Sequence, residues 1–335
     1  MEYILYFLQF DTPVHFGCGE EGGKLEKSTL HYRADTLFGA LCCELAAIGD
    51  AGGLASLYEK ASQGHLLFSD LLPFVKEDDE PHLFLPKPIL TIEHNEKEPV
   101  VSYQQFKTKA TQQKSLKKME YVRASELMTY LKSLGGGHYG GWEQPDTGQS
   151  HMVTRVHCST GAEPLPYYVH EITLPNEAGL YGILGYDDEE DGEWVLALME
   201  QMGVSGIGGK RSSGYGKFHF GDDPIYMDQD GCYTDDAVLY ALLKADDATN
   251  YMNLSVLLPQ SEDIPAVQGG QYTLCKRSGF LTPEGMTATK KEDIYMIQAG
   301  SCFSRKITGQ IADVSSGSLH PVWRYGKGLY VGLSL

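Results

Sequence analysis

Hydrophobic and polar positions divide this chain into segments of clear period and segments of none. Tyr3 to Phe10 is an unbroken apolar and aromatic run bounded by Asp11 and Pro13, which predicts a buried strand. A loop follows from Thr12 to Lys27, carrying Pro13, His15, Phe16 and four glycines, and stops at Leu30-His31-Tyr32-Arg33. From Asp35 onward, Leu37, Leu41, Leu45 and Ile48 form one helical stripe with Gly49 beyond its end, so Asp35 is expected to cap a helix. Between Leu66 and Ser150 the period is lost, and Pro73, Pro81, Pro86, Pro88 and Pro99 accumulate. That stretch is expected to be an insertion and not a core segment. Within it, Gln104 to Arg123 is polar and basic and reads as a mobile finger, Ser125 to Leu134 as a short helix, and Gly135-Gly136-Gly137 as its end.

Period returns with strand-like Pro166 to Leu174 and Leu180 to Tyr186. Asp191 to Met202 is helical, with Trp194, Leu198 and Met202 spaced by four, and Lys217 to Phe220 is a short strand. With the insertion left out, the order is strand, helix, strand, strand, helix, strand, the split βαβ order shared with RNA-recognition domains. Beyond an acidic stretch ending near Asp236, Ala237 to Lys244 reads as a helix. Met252 to Leu258, Gln271 to Lys276, Ile294 to Ala299 and Tyr330 to Leu335 read as strands. The expectation is therefore an α+β chain of two ferredoxin-like (RRM-like) domains. Residues 1–222 form the first, with a long basic insertion at about 66–150, and residues 235–335 the second.

Composition narrows the function classes. With 42% apolar residues in 335, two cores are affordable. No apolar run approaches a membrane span, and the start lacks the basic flank and cleavage site of a signal peptide, so a soluble cytoplasmic protein without a membrane partner is expected. Seven cysteines without a Cys-x-x-Cys pair read as reduced core residues. The histidines lack partner ligands at zinc spacing, so neither a metal nor a cofactor is expected. A net charge of -18 argues against nucleic acid until its distribution is read. Acid gathers at Glu77 to Glu80, Asp187 to Glu193 and Asp222 to Asp247, whereas Tyr103 to Lys132 holds seven Lys or Arg against Glu120 and Glu126. Such a chain can bind RNA locally and offer acidic faces to a basic protein.

The chemistry concentrates in Ser205 to Phe218, where Gly206, Gly208, Gly209, Gly214 and Gly216 surround Lys210, Arg211, Ser212, Ser213 and Tyr215. Glycines let a ligand approach backbone amides, while the cations and the ring suit a phosphodiester chain. A Walker loop is excluded, because Lys210 precedes Arg211 and Val204 stands where its first glycine belongs. The dinucleotide fingerprint fails at Arg211, its third glycine position.

Three segments, His31-Tyr-Arg-Ala-Asp-Thr-Leu-Phe-Gly-Ala-Leu41, Gly206 to Phe218, and His320-Pro-Val-Trp-Arg-Tyr-Gly326, together resemble the repeat-associated mysterious protein (RAMP) superfamily of CRISPR systems. More narrowly, the chain looks like the fourth-subunit family of the type III-A (Csm) effector complex. Leu85 to Pro88, Lys117 to Tyr121 and Tyr272 to Gly279 add support, while Ala34 and Trp323 depart from the family's usual serine and tyrosine. The resemblance implies an RNA-binding subunit, without catalytic residues, that grips the repeat-derived 5′ tag of the guide RNA. It implies docking of the large palm-domain subunit and of the backbone RAMP subunit, close to the target RNA. The expected contacts are the five loop glycines' neighbourhood, namely Gly206, Gly208, Gly209, Lys210, Arg211, Ser212, Ser213, Gly214 and Tyr215, joined by His15, Phe16 and Arg33. Phe16 and Tyr215 are read as stacking on bases or as ordinary packing, and Lys107, Lys109, Lys114, Lys117 and Lys118 as a thumb where guide meets target. Arg324 and Tyr325 could touch RNA, touch a subunit, or pack on the first domain. The alternative is a RAMP-type, metal-independent endoribonuclease that processes guide precursors with His15, His31 or His219. Against it, those enzymes carry the glycine loop near the C-terminus.

Overall fold

The computed structural model describes residues 1–17, 24–91, 103–134, 141, 142, 144–158, 163–281, 289–316 and 320–334, with part of the side chains of helix 103–118 left out. In the first half, β1 (Glu2–Phe10) leads to α1 (Ala34–Ala47), α2 (Ala51–Gln63), β2 (Leu66–Phe68), β3 (Leu72–Glu77), β4 (Glu80–Pro86), α3 (Tyr103–Lys118), β5 (Tyr121–Arg123) and α4 (Leu127–Leu134). Then come β6 (Gln149–His157), β7 (Leu165–Thr173), β8 (Ala178–Tyr186), α5 (Glu189–Ser205), β9 (Phe218–Phe220) and β10 (Ile225–Tyr226).

An antiparallel sheet of eight strands runs β10-β1-β8-β3-β4-β5, with β9 also on β1 and β2 also on β8. Its centre explains the solid apolar run of β1. Ile4, Tyr6 and Leu8 pack with Leu37, Phe38 and Leu41 of α1 and with Val195, Met199 and Met202 of α5. Leu5 and Phe7 point into the opposite core, with Phe74 of β3 and Leu127 of α4. A strand covered on both faces needs no alternation, and burying each such side chain contributes about 1.5–3 kcal/mol.

Two expectations are corrected. Residues 66–86 do not belong to an insertion: β2 and β3 pair with β8, and β4 extends the sheet from β3. Its prolines misled because Pro73 and Pro81 are second in their strands and Pro86 is last in its own, where a missing N–H costs little. Conversely, Pro166 to Leu174 is strand but not sheet. It forms β7, paired along its length with β6 in a two-stranded ribbon that joins the first-strand loop through the Val14–Ile172 bridge and through His170 N–H, which donates to the Leu25 carbonyl at 2.8 Å. The basic segment, read as a finger, is helical from Tyr103 to Lys118.

Past α6 (Thr234–Leu243), the second half holds β11 (Asn250–Asn253), α7 (Ile264–Gln268), β12 (Leu274–Arg277), β13 (Phe280–Leu281), β14 (Thr289–Lys290), β15 (Ile294–Ile297), β16 (Cys302–Phe303), β17 (Ala312–Asp313), β18 (Trp323–Arg324) and β19 (Tyr330–Leu333). Its described strands make a three-stranded sheet, β16-β11-β19, and separate pairs β12-β15, β13-β14 and β17-β18. Leu239 and Leu243 of α6, Met252 of β11 and Val331 of β19 share the core that holds Leu5 and Phe7, so the halves are packed together.

Candidate functional site

Helix α5 ends where Gly206 turns to φ +77, and the glycine loop crosses to the segment after β1. Gly209 N–H donates to the His15 carbonyl at 2.8 Å and Gly216 N–H to that of Pro13 at 2.9 Å. Glycine is required at 208 and 216: both have positive φ, and an added Cβ would lie 2.6 Å from the Phe16 ring or 1.9 Å from the Ile207 carbonyl. The two loops that sequence could not prove to meet are therefore locked together. Gly209 and Gly216 spend their amides on this locking, and Gly206, Ile207, Ser213, Gly214 and Tyr215 spend theirs on bonds to the end of α5 or within the loop, so glycine content alone overstates the amides open to a ligand. At the tip, Lys210 takes φ +61 and leads a 3-10 turn, Arg211–Ser213. Among the described residues the N–H groups of Lys210, Arg211 and Ser212 take no acceptor, and Arg211, Ser212 and Ser213 are exposed.

Three expected contacts lie underneath this tip. Phe16 is 2% exposed and packs on Tyr32 at 4.7 Å between ring centroids. Tyr215 is equally buried, accepting from Arg155 Nη2 at 2.8 Å and donating to Glu171. Neither ring has a free face for a base. His15 is buried too; its Nδ1 must carry the proton, because its partner at 2.7 Å is the His170 carbonyl. His170 takes the other tautomer, since its Nδ1 accepts from Ser28 N–H at 3.0 Å and leaves Nε2 to donate to Ser150 at 2.5 Å. Buried and bonded to protein partners, these groups shape the loop. The β6-β7 ribbon rises from the same place, with Arg155 at Tyr215 and Tyr167 under Lys210, whose ammonium stands 4.5 Å from that ring's centroid.

The loop opens on a cleft of about 430 Å³ shared by both halves, lined by Gly208, Gly209 and Arg211, by Asp35 and Thr36 of α1, and by Arg277, Lys291, Trp323 and Arg324. Asp35 is not the helix cap. The cap position is Arg33, and the acceptor for Ala34 N–H is Asp70 Oδ1 at 2.8 Å. Asp35 instead receives Arg277 through Nε and Nη2, both at 2.9 Å, and Arg324 Nη1 at 2.6 Å. Burial alone would raise its carboxyl, but the two guanidinium groups outweigh that and hold it at about 2. Next along β18, Trp323 stacks on Tyr58 at 4.2 Å. Tyr325 stacks on Phe38 at 5.3 Å and accepts from Phe68 N–H. Of the alternatives for Arg324 and Tyr325, packing on the first half is thus the one observed. The three sequence segments singled out above converge on this cleft.

Arg33 does not face it. Arg33 lines a second cavity of about 290 Å³ with Asp70, Lys87, Glu120 and Tyr121, while His31 and Tyr32 border both. Of the thumb residues, Lys107, Lys114 and Lys118 are exposed on α3, and the side chains of Lys109 and Lys117 lie outside the described residues. The end of α3 is tied by Lys87 Nζ, which donates to the Leu116 carbonyl at 3.0 Å. Among the described residues, no helix is long and apolar enough to cross a membrane and no His, Cys, Asp or Glu group of three is placed for a metal. Sequence reading missed Arg277 and Lys291. Its one usable signal was Asp35 itself, an acid on an apolar helix that burial obliges to find a cation.

Comparison with known proteins gives these motifs their context. The model of the RAMP superfamily matches residues 7–219 and that of the CRISPR Csm4 C-terminal domain residues 246–333. A "CRISPR system Cms protein Csm4" of Mycobacterium tuberculosis is 30% identical over 337 residues, covering 99% of this chain and 98% of the relative. Its counterpart from Streptococcus thermophilus is 28% identical over 342 residues, covering 100% of both. Among solved structures, the fold resembles a chain of the Csm3-Csm4 subcomplex in the type III-A CRISPR-Cas interference complex, with TM-score 0.61, 15% identity and 100% of both chains covered. It also resembles a chain of the Csm1-Csm4 cassette in complex with pppApA, with TM-score 0.59, 19% identity, and 100% of this chain and 99% of that one covered. The chain belongs to the RAMP superfamily and, within it, to the Csm4 family of type III-A CRISPR systems.

Proposed function

We propose that this chain is a non-catalytic, RNA-binding subunit of a type III-A effector complex. It grips the repeat-derived 5′ tag of the guide RNA with the tip of its glycine loop, docks the large signalling subunit, and adjoins the backbone RAMP subunit. The observation that carries the reading is the tip itself. Three consecutive N–H groups that take no acceptor among the described residues, at Lys210, Arg211 and Ser212, share a rigid turn with two cations and two exposed hydroxyls. This is a donor set for phosphate oxygens, held rigid by the backbone bonds to Pro13 and His15. The assembly partners follow from relatives found with Csm1 and with Csm3. In this reading residues 1–222 form a ferredoxin-like domain whose strand order is β9, β1, β8, then β2 with β3, and residues 235–335 form a second domain of the same class. The β6-β7 ribbon extends the grip, and α3 is a separate basic element that lies close to the target.

The nuclease alternative needs an accessible histidine beside the loop. His15 is 4% exposed with its Nδ1 engaged and His219 is paired with Asp11 at 2.9 Å, which disfavours both as a general base, whereas His31 is exposed at the border of the loop cleft and is the histidine on which the test turns. The test incubates the purified chain, alone and with its large-subunit partner, with end-labelled repeat-derived RNA on parallel native and denaturing gels. An intact, shifted RNA that requires Lys210 and Arg211 supports the proposal. A discrete cut lost in His15→Ala or His31→Ala overturns it.

A further inference from the structure

The cleft between the halves holds more fixed positive charge than it neutralises. Arg277, Arg324, Lys291 and Arg211 line it, and Asp35 is the acid among its lining residues. Arg277 is satisfied, since its Nε and Nη2 both donate to Asp35 and Nη2 also reaches Thr36 Oγ1 at 2.7 Å. Arg324 is not. It is 7% exposed, one of its nitrogens is bound to Asp35, and its Nε is buried without a partner. Lys291 has no anionic partner among the described residues. Burial and then the charge of Arg324 lower its pKa, while Cys43 and Asp35 act the other way and Arg277 adds to the lowering. Arg211 sits at the mouth, exposed and unpaired among the described residues. A half-buried ammonium beside two buried guanidinium groups is repelled by both, and the single carboxylate of Asp35 offsets only part of that charge. The arrangement is explained by an anion that the cleft is built to receive.

We propose that Lys291, Arg324 and Arg211 seat one phosphate group of a bound RNA strand, so that the strand is held by both halves of the protein and not by the glycine loop alone. Arg211 comes from the loop tip that carries the acceptor-free amides, and Lys291 and Arg324 line the same cleft from the second half. The seat deepens the RNA-gripping reading and rests on it for the identity of the ligand, while its phosphate chemistry stands on the cleft alone.

Lys291→Met tests it cleanly, because among the described residues the ammonium makes no bond that its removal would break. Labelled repeat-derived RNA is titrated against the full chain at several KCl concentrations, and thermal unfolding is followed with and without inorganic phosphate. The expected variant melts at or above the unmodified protein, yet binds RNA about tenfold more weakly. Its slope of log affinity against log salt falls by about 0.7, the share of one single-strand phosphate contact. Its melting no longer responds to phosphate, and Lys291→Arg restores both. A Lys291→Met variant with unchanged affinity and slope overturns the seat, even while Lys210→Ala/Arg211→Ala loses RNA and the grip stands. If the unmodified protein ignores RNA but is stabilised by phosphate through Lys291, the seat holds and the RNA reading falls. Adenosine 5′-monophosphate as competitor separates the sources: weak competition against the RNA supports a strand phosphate, and displacement as effective as by RNA overturns it.

Discussion

Asp35 and Arg277, 242 residues apart, meet through two hydrogen bonds of 2.9 Å, with both side chains buried at the junction of the two halves. Arg324 reaches the same carboxylate from β18. The first helix and the last third of the chain are thereby pinned to each other at one oxygen pair. Trp323 on Tyr58 and Tyr325 on Phe38 add apolar packing beside the charges.

Removing the acid strands two buried guanidinium groups, which costs far more than the pair contributes net. Asp35→Ala should lower stability by about 3–5 kcal/mol in urea unfolding. Replacing Asp35, Arg277 and Arg324 together by apolar residues should recover much of that loss. A single variant within about 0.5 kcal/mol of the unmodified protein would show the junction to be held by packing alone.

The acid limb of the stability curve should carry two opposite signatures. Asp35 titrates at about 2 when folded and near 3.9 when unfolded. The unfolded chain therefore binds its proton first, and the stability it contributes, about 2–3 kcal/mol, is present above pH ~4 and lost as pH falls toward 2. Asp70 is the reverse case. Burial pushes its carboxyl up to about 6 against the charge of Arg33 and the amides of Ala34 and Val256. The folded chain holds that proton more tightly, so its contribution is complete below pH ~4 and is lost as pH rises through about 6. In Asp70→Asn, whose side-chain oxygen can still accept those amides, the decline between pH 4 and 6 should disappear from urea-derived stabilities. Persistence of the decline would assign it to another group.

The buried strands β1 and β8 were legible as unbroken apolar runs, and the stripe of α1 and the spacing of α5 as a clear helical period. Residues 66–86 were not, because a strand buried on both faces and bounded by prolines has the look of a loop. The ribbon was the opposite failure, since Val169 and Ile172 give β7 an apolar inner side although its partner β6 is exposed over nearly all its length. In the site, loop glycines and cations were read directly. The roles of Phe16, Tyr215 and Asp35 were not, because burial decides them together with partners that for Tyr215 and Asp35 lie 44 to 289 residues away. A ring or a carboxylate in sequence does not say which side of the surface it lies on.

Gly208→Ala and Gly216→Ala probe the lock between the loops. Each residue sits at positive φ, and at 216 the Cβ would meet backbone that cannot rotate aside. A loss of at least about 1–2 kcal/mol is expected at either site, together with weakened RNA binding. Gly214→Ala shares the positive φ but meets nothing within 4 Å, so it should cost less and leave affinity nearly unchanged. Equal effects at the three positions would mean that backbone strain, not the fit against Ile207 and Phe16, governs the loop.

Tyr215→Phe separates positioning from stacking. The substitution keeps the ring and removes the hydroxyl that joins Arg155 of β6 to Glu171 of β7 under the glycine loop. Arg155 and Glu171 are 3.9 Å apart at their nearest charged atoms, so part of the link survives as an ion pair, and the expected cost is about 1 kcal/mol. The loss should appear where the hydroxyl acts. Amide exchange should accelerate in β6 and β7 while β1 and β8 stay protected, because the ribbon is held by few contacts and the sheet by both cores. RNA affinity should fall modestly through a looser ribbon, with its salt slope unchanged because no phosphate contact is removed. Unaltered exchange in the ribbon would mean that Tyr215 does not anchor it, and a changed salt slope would place the hydroxyl at the phosphate itself.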